Sequence, residues 1–196
     1  MSVERFDLRA IAPQPWKNGA GLTREIAFGG ATSTDFDWRL SVAEVERDAP
    51  FSAFPGVDRC IVLLRGDGMR LRSGDGRVDL RLTEPLVPFG FSGDVALEAT
   101  LAGGPSCDLN VMTRRGVFRS DVSLHRDAAE LRGGDVTLLL CSAGEWTVAA
   151  DATDASGALQ PMHALLWRQP VASITVTPRG AAAALLLVRL CHDRPR

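Results

Sequence analysis

The chain is built from short stretches in which apolar and polar residues alternate. In residues 36–45, FDWRLSVAEV, large apolar residues recur at every second position, so Trp38 and Arg39 fall on opposite faces of a predicted strand. Residues 60–64 are apolar at every position, as in a strand that is buried on both faces. The pattern leaves open whether Arg39 faces solvent or an interior pocket.

Glycine-rich turns separate these stretches. The tripeptide Gly-Asp-Gly at 66–68 and again at 74–76 supplies the residues that tight hairpin turns require. Predicted strands follow one another at intervals of roughly 8 to 12 residues, and no long stretch has the period of a helix. The sequence therefore predicts an all-β protein, either a sandwich or a barrel, with very little helix.

One pattern occurs twice along the chain. Residues 59–112 and 134–190 share the order apolar strand, glycine turn, return strand, proline-containing connector, alternating strand, glycine loop and closing strand. We therefore predict two β-barrels, an N-terminal one in residues 1–116 and a more degenerate C-terminal one in residues 117–196. The alternative is one compact unit in which the two barrels exchange strands.

The closing strands of the two copies differ in polarity. The first reads DLNVM and contains Asp108 and Asn110, whereas the second reads LLLVRL. Lys17 and Asn18 also stand out, because Lys17 is the only lysine of the chain and Asn18 is one of only two asparagines. Because the chain contains so few residues of these two types, the ones that are present are candidates for a specific role. We therefore predict that the N-terminal barrel carries the ligand site.

Charge and hydropathy narrow the classes of partner. The net charge of −2, without clustered positive charge, disfavours nucleic acid. The N-terminus lacks the apolar segment of a secretion signal, and the most apolar stretch, residues 181–190, is about half of the ~20 residues that span a bilayer. We expect a cytoplasmic protein that does not bind membranes. The four cysteines are far apart and are predicted to be free thiols.

Histidine is scarce in this chain. His125, His163 and His192 are the only histidines, and no two of them have the spacing of metal ligands. Because sites for first-row metals generally combine imidazole with carboxylate, we predict no metal and no other cofactor. The same scarcity argues against catalysis by a Ser-His-Asp or Cys-His arrangement.

Four motifs carry a family resemblance: PWKNGAGLTREIA at 15–27, FDWRLSVAEV at 36–45, PFSAFPGVDR at 50–59 and DLNVMTRRG at 108–116. Together they resemble the HutD/Ves family. This resemblance implies a bicupin, with two cupin-type β-barrels or jelly rolls in one chain, which is commonly a homodimer and is encoded with genes of histidine utilisation. It also implies a regulatory or metabolite-buffering role, with N-formimino-L-glutamate or another small carboxylate as ligand. Ala20 departs from the family pattern, in which glycine is usual.

The polar residues of these motifs form a donor-rich set that suits a small carboxylate. A guanidinium can bind a carboxylate through two parallel hydrogen bonds, and an amide can bind the remaining oxygen. We predict that the ligand is held by Lys17, Asn18, Thr23, Glu25, Arg39, Ser41, Asp58, Arg59, Asp108 and Asn110. Glu25 or Asp58 would position an arginine or receive a cationic group of the ligand. The alternative for Asp58 and Asp108 is a structural role at the barrel mouth.

The sequence favours a binding protein over an enzyme, and two other functions stay open. One is a metal-independent enzyme acting on a small metabolite, in which Glu25 or Asp58 is the general base and Lys17 or Arg39 stabilises developing charge. The other is a protein-interaction module with a vestigial pocket.

Overall fold

The computed structural model describes residues 2–151 and 156–193, and within these ranges the chain is all β, without a helix. The all-β prediction is therefore confirmed. No membrane-spanning helix is found in the described part of the chain. The strands in these ranges are β1 (Glu4–Asp7), β2 (Gln14–Pro15), β3 (Gly21–Gly30), β4 (Phe36–Val45), β5 (Ala49–Phe51), β6 (Val57–Arg65), β7 (Met69–Ser73), β8 (Asp79–Leu82), β9 (Pro88–Ser92), β10 (Leu97–Leu101), β11 (Ser106–Arg114), β12 (Phe118–His125), β13 (Ala129–Leu131), β14 (Val136–Ala150), β15 (Gly157–Leu159), β16 (His163–Trp167) and β17 (Ile174–His192).

The chain divides into two compact units. The N-terminal unit is Ala12–Phe118, and the C-terminal unit combines Met1–Ile11 with Arg119–Arg196. The predicted barrels, 1–116 and 117–196, differ from these units at the start of the chain. The reason is that β1 pairs antiparallel with β16, so its backbone hydrogen bonds go to the C-terminal half of the chain.

Two antiparallel sheets make up the N-terminal unit. The larger sheet has the strand order β2-β3-β4-β11-β6-β9, and the smaller has the order β5-β10-β7-β8. Apolar side chains from both sheets, among them Ile61 on β6 and Leu71 on β7, form one core. Because side chains alternate along a strand, every second residue of the larger sheet faces this interior.

A single seven-stranded sheet makes up the C-terminal unit. Its order is β1-β16-β14-β17-β12, with β13 paired to β17 and β15 paired to β14. The long strands β14 and β17 pair along both of their halves, with an irregular register around Ala143. Trp146, Trp167 and several leucines are buried in its core.

The two units share one pattern of strand pairing. The order β4-β11-β6-β9 in the N-terminal unit corresponds to β12-β17-β14-β16 in the C-terminal unit, and β5-β10-β7-β8 corresponds to β13-β17-β14-β15. In the first copy, Gly66 and Gly68 separate β6 from β7, whereas in the second copy Gly144 lies at the irregular register and β14 continues through it. This correspondence supports the repeat that the sequence predicts.

Gly68, between β6 and β7, is expected to tolerate no side chain. Its φ is +80°, and a Cβ there would overlap the carbonyl oxygen of Leu82 on the neighbouring strand β8. Gly116 has a φ of +79° but no atom near its would-be Cβ, so it is a matched control. We expect Gly116→Ala to lower the free energy of unfolding by about 1–2 kcal/mol and Gly68→Ala by about 3 kcal/mol or more. Urea unfolding of both variants measures this difference, and equal losses would contradict the predicted overlap.

Candidate functional site

A cavity of about 550 Å³ lies in the N-terminal unit. Strands of the larger sheet, the segment around Trp16 and the loop after β5 contribute its lining. Its lining includes seven of the ten residues that the sequence singles out: Lys17, Asn18, Thr23, Arg39, Ser41, Arg59 and Asn110. The structure therefore brings most of this set together, and places Glu25, Asp58 and Asp108 outside the lining.

The strand pairing explains why these residues converge. On β4, Arg39 and Ser41 line the cavity, whereas Trp38 on the opposite face does not. The antiparallel register places Asn110 of β11 directly beside Ser41. The same strand, β11, also pairs with β6, where Met112 lies opposite Arg59. The sequence left open whether Arg39 faces solvent or a pocket. In the structure, the face of β4 that carries Arg39 lines the cavity.

Arg59 is the most unusual residue of the cavity, because its guanidinium is buried and has no carboxylate partner among the described residues. The residue is 5% exposed, and Nη1 donates a hydrogen bond to the Ser52 carbonyl oxygen at 3.2 Å. Its Nε has no hydrogen-bond acceptor, and no carboxylate of the described residues pairs with it. Burial, assisted by the Arg39 charge, lowers the pKa of Arg59 to about 9, so the group is still cationic at neutral pH.

Three phenylalanine rings surround the Arg59 guanidinium. Its central carbon lies 4.4 Å from the ring centroid of Phe51, 5.1 Å from that of Phe91 and 5.4 Å from that of Phe54. Cation–π attraction of this kind offsets part of the cost of burying the charge. The rings do not provide a hydrogen-bond acceptor for Nε.

Arg39, in contrast, has a carboxylate partner. Its Nε donates to Glu25 Oε2 on β3 at 2.7 Å, and each of the two side chains is 16% exposed. Glu25 lies opposite Ser41 in the register of β3 and β4, and Arg39, two residues away on the same face of β4, is its diagonal neighbour. Glu25 therefore positions Arg39, which is one of the two roles that the sequence suggests for it.

Lys17 and Asn18 lie on an exposed turn between β2 and β3 at the edge of the cavity. The turn is held by local bonds: Asn18 Oδ1 accepts from the Ala20 amide at 3.1 Å, and Arg47 donates to the Gly19 carbonyl oxygen at 2.6 Å. No carboxylate among the described residues forms an ion pair with the Lys17 ammonium group. Lys17 is therefore a second cation of the site without a counter-ion.

Asn110 and Ser41 supply polar groups beside the arginines. Asn110 is 8% exposed and its Oδ1 has no hydrogen-bond partner, while Ser41 is buried. Thr23 is already engaged, because its Oγ1 accepts from Trp16 Nε1 at 2.7 Å. A buried polar atom without a partner is costly, so Asn110 and Arg59 together indicate a site that a polar ligand completes.

Asp58 lies outside the cavity lining. Its neighbour Arg59 faces the cavity, so Asp58 lies on the opposite face of β6. There its carboxylate accepts hydrogen bonds from Arg115 at 2.7 and 3.0 Å, and Arg115 also binds Asp94 at 2.9 Å. Asp58 therefore has the structural role that the sequence left as its alternative.

Asp108 is likewise not part of the cavity lining. It is fully buried on β11, where Ser106 Oγ donates to its carboxylate at 2.9 and 3.0 Å. Burial raises the pKa of Asp108 to about 7, although the Ser106 hydrogen bond lowers it somewhat. Neither Asp58 nor Glu25, the two carboxylates considered as general bases, lines the cavity.

Sequence reasoning missed the aromatic wall of the cavity. Trp16, Phe51 and Phe54 line it, and the rings of Trp16 and Phe51 meet edge to face with centroids 6.2 Å apart. The signal was present in the motif PFSAFPGVDR, where two phenylalanines precede the arginine whose guanidinium they contact. Each of these aromatic residues, taken singly, is interpreted from the sequence as an ordinary core residue.

The described residues contain no cluster of three or more histidine, cysteine, aspartate or glutamate side chains that could hold a metal ion. Two histidines lie beside carboxylates of the C-terminal unit, His163 near Asp7 and His192 near Asp135. The four cysteines are free thiols.

Comparison with known proteins identifies relatives along most of the chain. The HutD family profile matches residues 9–185. A conserved protein of unknown function from Pseudomonas aeruginosa PAO1 is 30% identical, with a TM-score of 0.84 over 96% of this chain and 98% of that one. HutD from Pseudomonas fluorescens SBW25, in a formate condition, is 26% identical, with a TM-score of 0.83 over 98% of this chain and 100% of that one.

A more distant similarity concerns the fold alone. A cupin 2 conserved barrel domain protein from Leptotrichia buccalis is 9% identical, with a TM-score of 0.59 over 95% of each chain. The chain thus has a cupin-like all-β fold. Since the family profile spans nearly the whole sequence, the chain belongs to the HutD family.

Proposed function

We propose that this protein is a bicupin that binds a small carboxylate metabolite, without a metal, in the cavity of its N-terminal unit. The observation that carries the proposal is the buried guanidinium of Arg59, which has no carboxylate partner among the described residues and contributes to the cavity lining. In this proposal the protein acts in the cytoplasm as a homodimer and has a regulatory role in histidine utilisation, with N-formimino-L-glutamate as one candidate ligand.

The energetics favour an anionic ligand. Burying a charge away from water is costly unless the charge is paired, and no carboxylate of the described residues pairs with Arg59. A carboxylate in the cavity beside Arg59 would compensate its charge. Asn110 lies in the same cavity and would donate to the carboxylate from its amide nitrogen, whereas its unpaired Oδ1 would accept from an N–H or O–H group of the ligand.

Two further observations support one part of this proposal. The bicupin assignment is supported by the shared strand-pairing pattern of the two units and by the similarity to a cupin barrel protein.

Isothermal titration calorimetry with formate, glutamate, urocanate and N-formimino-L-glutamate tests the proposal. We expect at least one of them to bind with a dissociation constant below about 1 mM, or roughly −4 kcal/mol of binding free energy. Sodium chloride at matched ionic strength serves as the control for nonspecific anion effects. Absence of heat with all four compounds at millimolar concentration would count against a carboxylate-binding function.

A further inference from the structure

The charges around the cavity do not balance. Three cationic side chains line it, Lys17, Arg39 and Arg59, whereas no aspartate or glutamate does. Glu25, just outside the lining, pairs with Arg39 alone. Within the described residues, two cations of the site are therefore left without a carboxylate, Arg59 and Lys17.

The two uncompensated cations differ in position. Arg59 is buried among three phenylalanine rings, whereas Lys17 is exposed on the turn at the cavity edge. Between them the cavity wall is aromatic, because Phe51 contacts Arg59 and Trp16, the neighbour of Lys17, packs on Phe51. An apolar segment of a ligand fits this wall, and a charged group fits each end.

We infer that the cavity selects a dicarboxylate with an apolar spacer, holding one carboxylate at Arg59 and the other at Lys17, and discriminates against ligands that carry an ammonium group. This inference rests on the proposed carboxylate-binding function and specifies its ligand class. A dianion compensates both free cations. An ammonium group meets no uncompensated carboxylate in the cavity lining, because Glu25 lies outside the lining and its charge is compensated by Arg39.

The ion pairs of Glu25 and Asp58 bear on the place of a cationic ligand group. The sequence suggested that Glu25 or Asp58 receives a cationic group of the ligand. In the structure both carboxylates already have arginine partners, and neither lines the cavity. An ammonium group of a ligand would lie near the positive charges of Arg39 and Arg59 with no uncompensated carboxylate in the cavity lining to offset the repulsion.

Matched ligands test the inference. Linear dicarboxylates of four to six carbons are titrated by calorimetry, each beside its monoamide, in which a neutral carboxamide of nearly the same shape replaces one carboxylate. We expect the best dicarboxylate to bind at least about tenfold more tightly than its monoamide, a difference of about 1.4 kcal/mol. Glutarate is also expected to bind more tightly than glutamate, which adds an ammonium group to the same skeleton.

Two variants locate the second carboxylate. Lys17→Met removes the edge cation and is expected to reduce the preference for dicarboxylate over monoamide to roughly threefold or less. Arg77→Met removes the same charge from an exposed position that does not line the cavity, and is expected to preserve the preference.

The outcomes separate this inference from the proposed function. If carboxylates bind but dicarboxylates and monoamides bind equally, the dicarboxylate inference is overturned and the carboxylate-binding function stands. If the preference survives intact in Lys17→Met, the assignment of the second carboxylate to Lys17 is overturned. If neither class binds at millimolar concentration, both the inference and the proposed function fail.

Discussion

Replacing Arg59 with methionine is expected to abolish carboxylate binding and, at the same time, to stabilise the ligand-free protein. The loss of binding follows because the variant removes the only buried cation of the cavity that lacks a carboxylate partner among the described residues. The gain in stability follows because an unpaired buried charge is replaced by an apolar side chain that packs against Phe51, Phe54 and Phe91. We expect at least about a hundredfold loss of affinity and about 1–3 kcal/mol of added stability.

Calorimetry and chemical unfolding measure the two effects on the same preparations. Arg77→Met is the matched control, since the Arg77 side chain is exposed; it should change neither quantity appreciably. Arg59→Lys keeps the charge but lacks the guanidinium fork, so it is expected to fold normally and to bind weakly. A methionine variant that is less stable than the wild type would show that the Arg59 side chain stabilises the fold. It would contradict the idea that its buried charge destabilises the ligand-free protein.

Much of the fold follows from local patterns. The repeat, the turns and the absence of helical periodicity depend on residues close in sequence, and the two units reproduce these features. The pairing partner of the first strand does not follow from local patterns. Residues 4–7 pair with β16, more than 150 positions away, and no local pattern indicates that partner.

The candidate site also combines features that local patterns predict with features that depend on pairing between distant segments. Residues on motif strands, such as Arg39 and Asn110, converge because antiparallel register places them side by side, and the alternation predicts that they share faces with their i±2 neighbours. The sequence could not choose between the two faces of β4, since both are mostly buried. Only the pairing with β11, and the cavity beside Ser41, shows which face of β4 lines the cavity.

The roles of Glu25 and Asp58 depend on arginines elsewhere in the chain. Glu25 pairs with Arg39, and Asp58 pairs with Arg115, which lies 57 positions later in the chain. Arg39 compensates the charge of Glu25, and Asp58 lies on the face of β6 away from the cavity. The preference for anions that we propose for the site therefore depends on the folded pairing pattern, not on the motif composition alone.

Asp108→Asn is expected to remove a pH dependence from the stability of the protein. Burial raises the pKa of Asp108 in the folded state to about 7, whereas an aspartate in the unfolded chain titrates near its ordinary value of 3.8. Between these values the folded state keeps a proton that the unfolded state releases. The free energy of unfolding therefore falls as pH rises from about 4 to 7, and above pH 7 the full penalty is present.

Each pH unit of that window is worth at most about 1.4 kcal/mol, so the upper limit of the penalty is about 4 kcal/mol. Asparagine stays neutral and can still accept from Ser106, whose hydroxyl donates to the carboxylate of Asp108. We expect Asp108→Asn to match the wild type near pH 4 and to exceed its stability by about 2–4 kcal/mol at pH 8.

Urea unfolding of both proteins at pH 4, 5, 6, 7 and 8 measures this difference. Other carboxylates act in the opposite direction and at lower pH: hydrogen bonds from the Gly56 amide, Ser92 and Arg115 lower the pKa of Asp94 to about 2, so its stabilising contribution is lost as pH falls below about 4. Comparing the two proteins at each pH cancels that background.

Asp127→Asn removes an exposed charge and should leave the slope of the free energy of unfolding against pH unchanged. Parallel stability curves for the wild type and Asp108→Asn would mean that Asp108 is ionised in the folded protein throughout this range, with a compensating partner near its carboxylate.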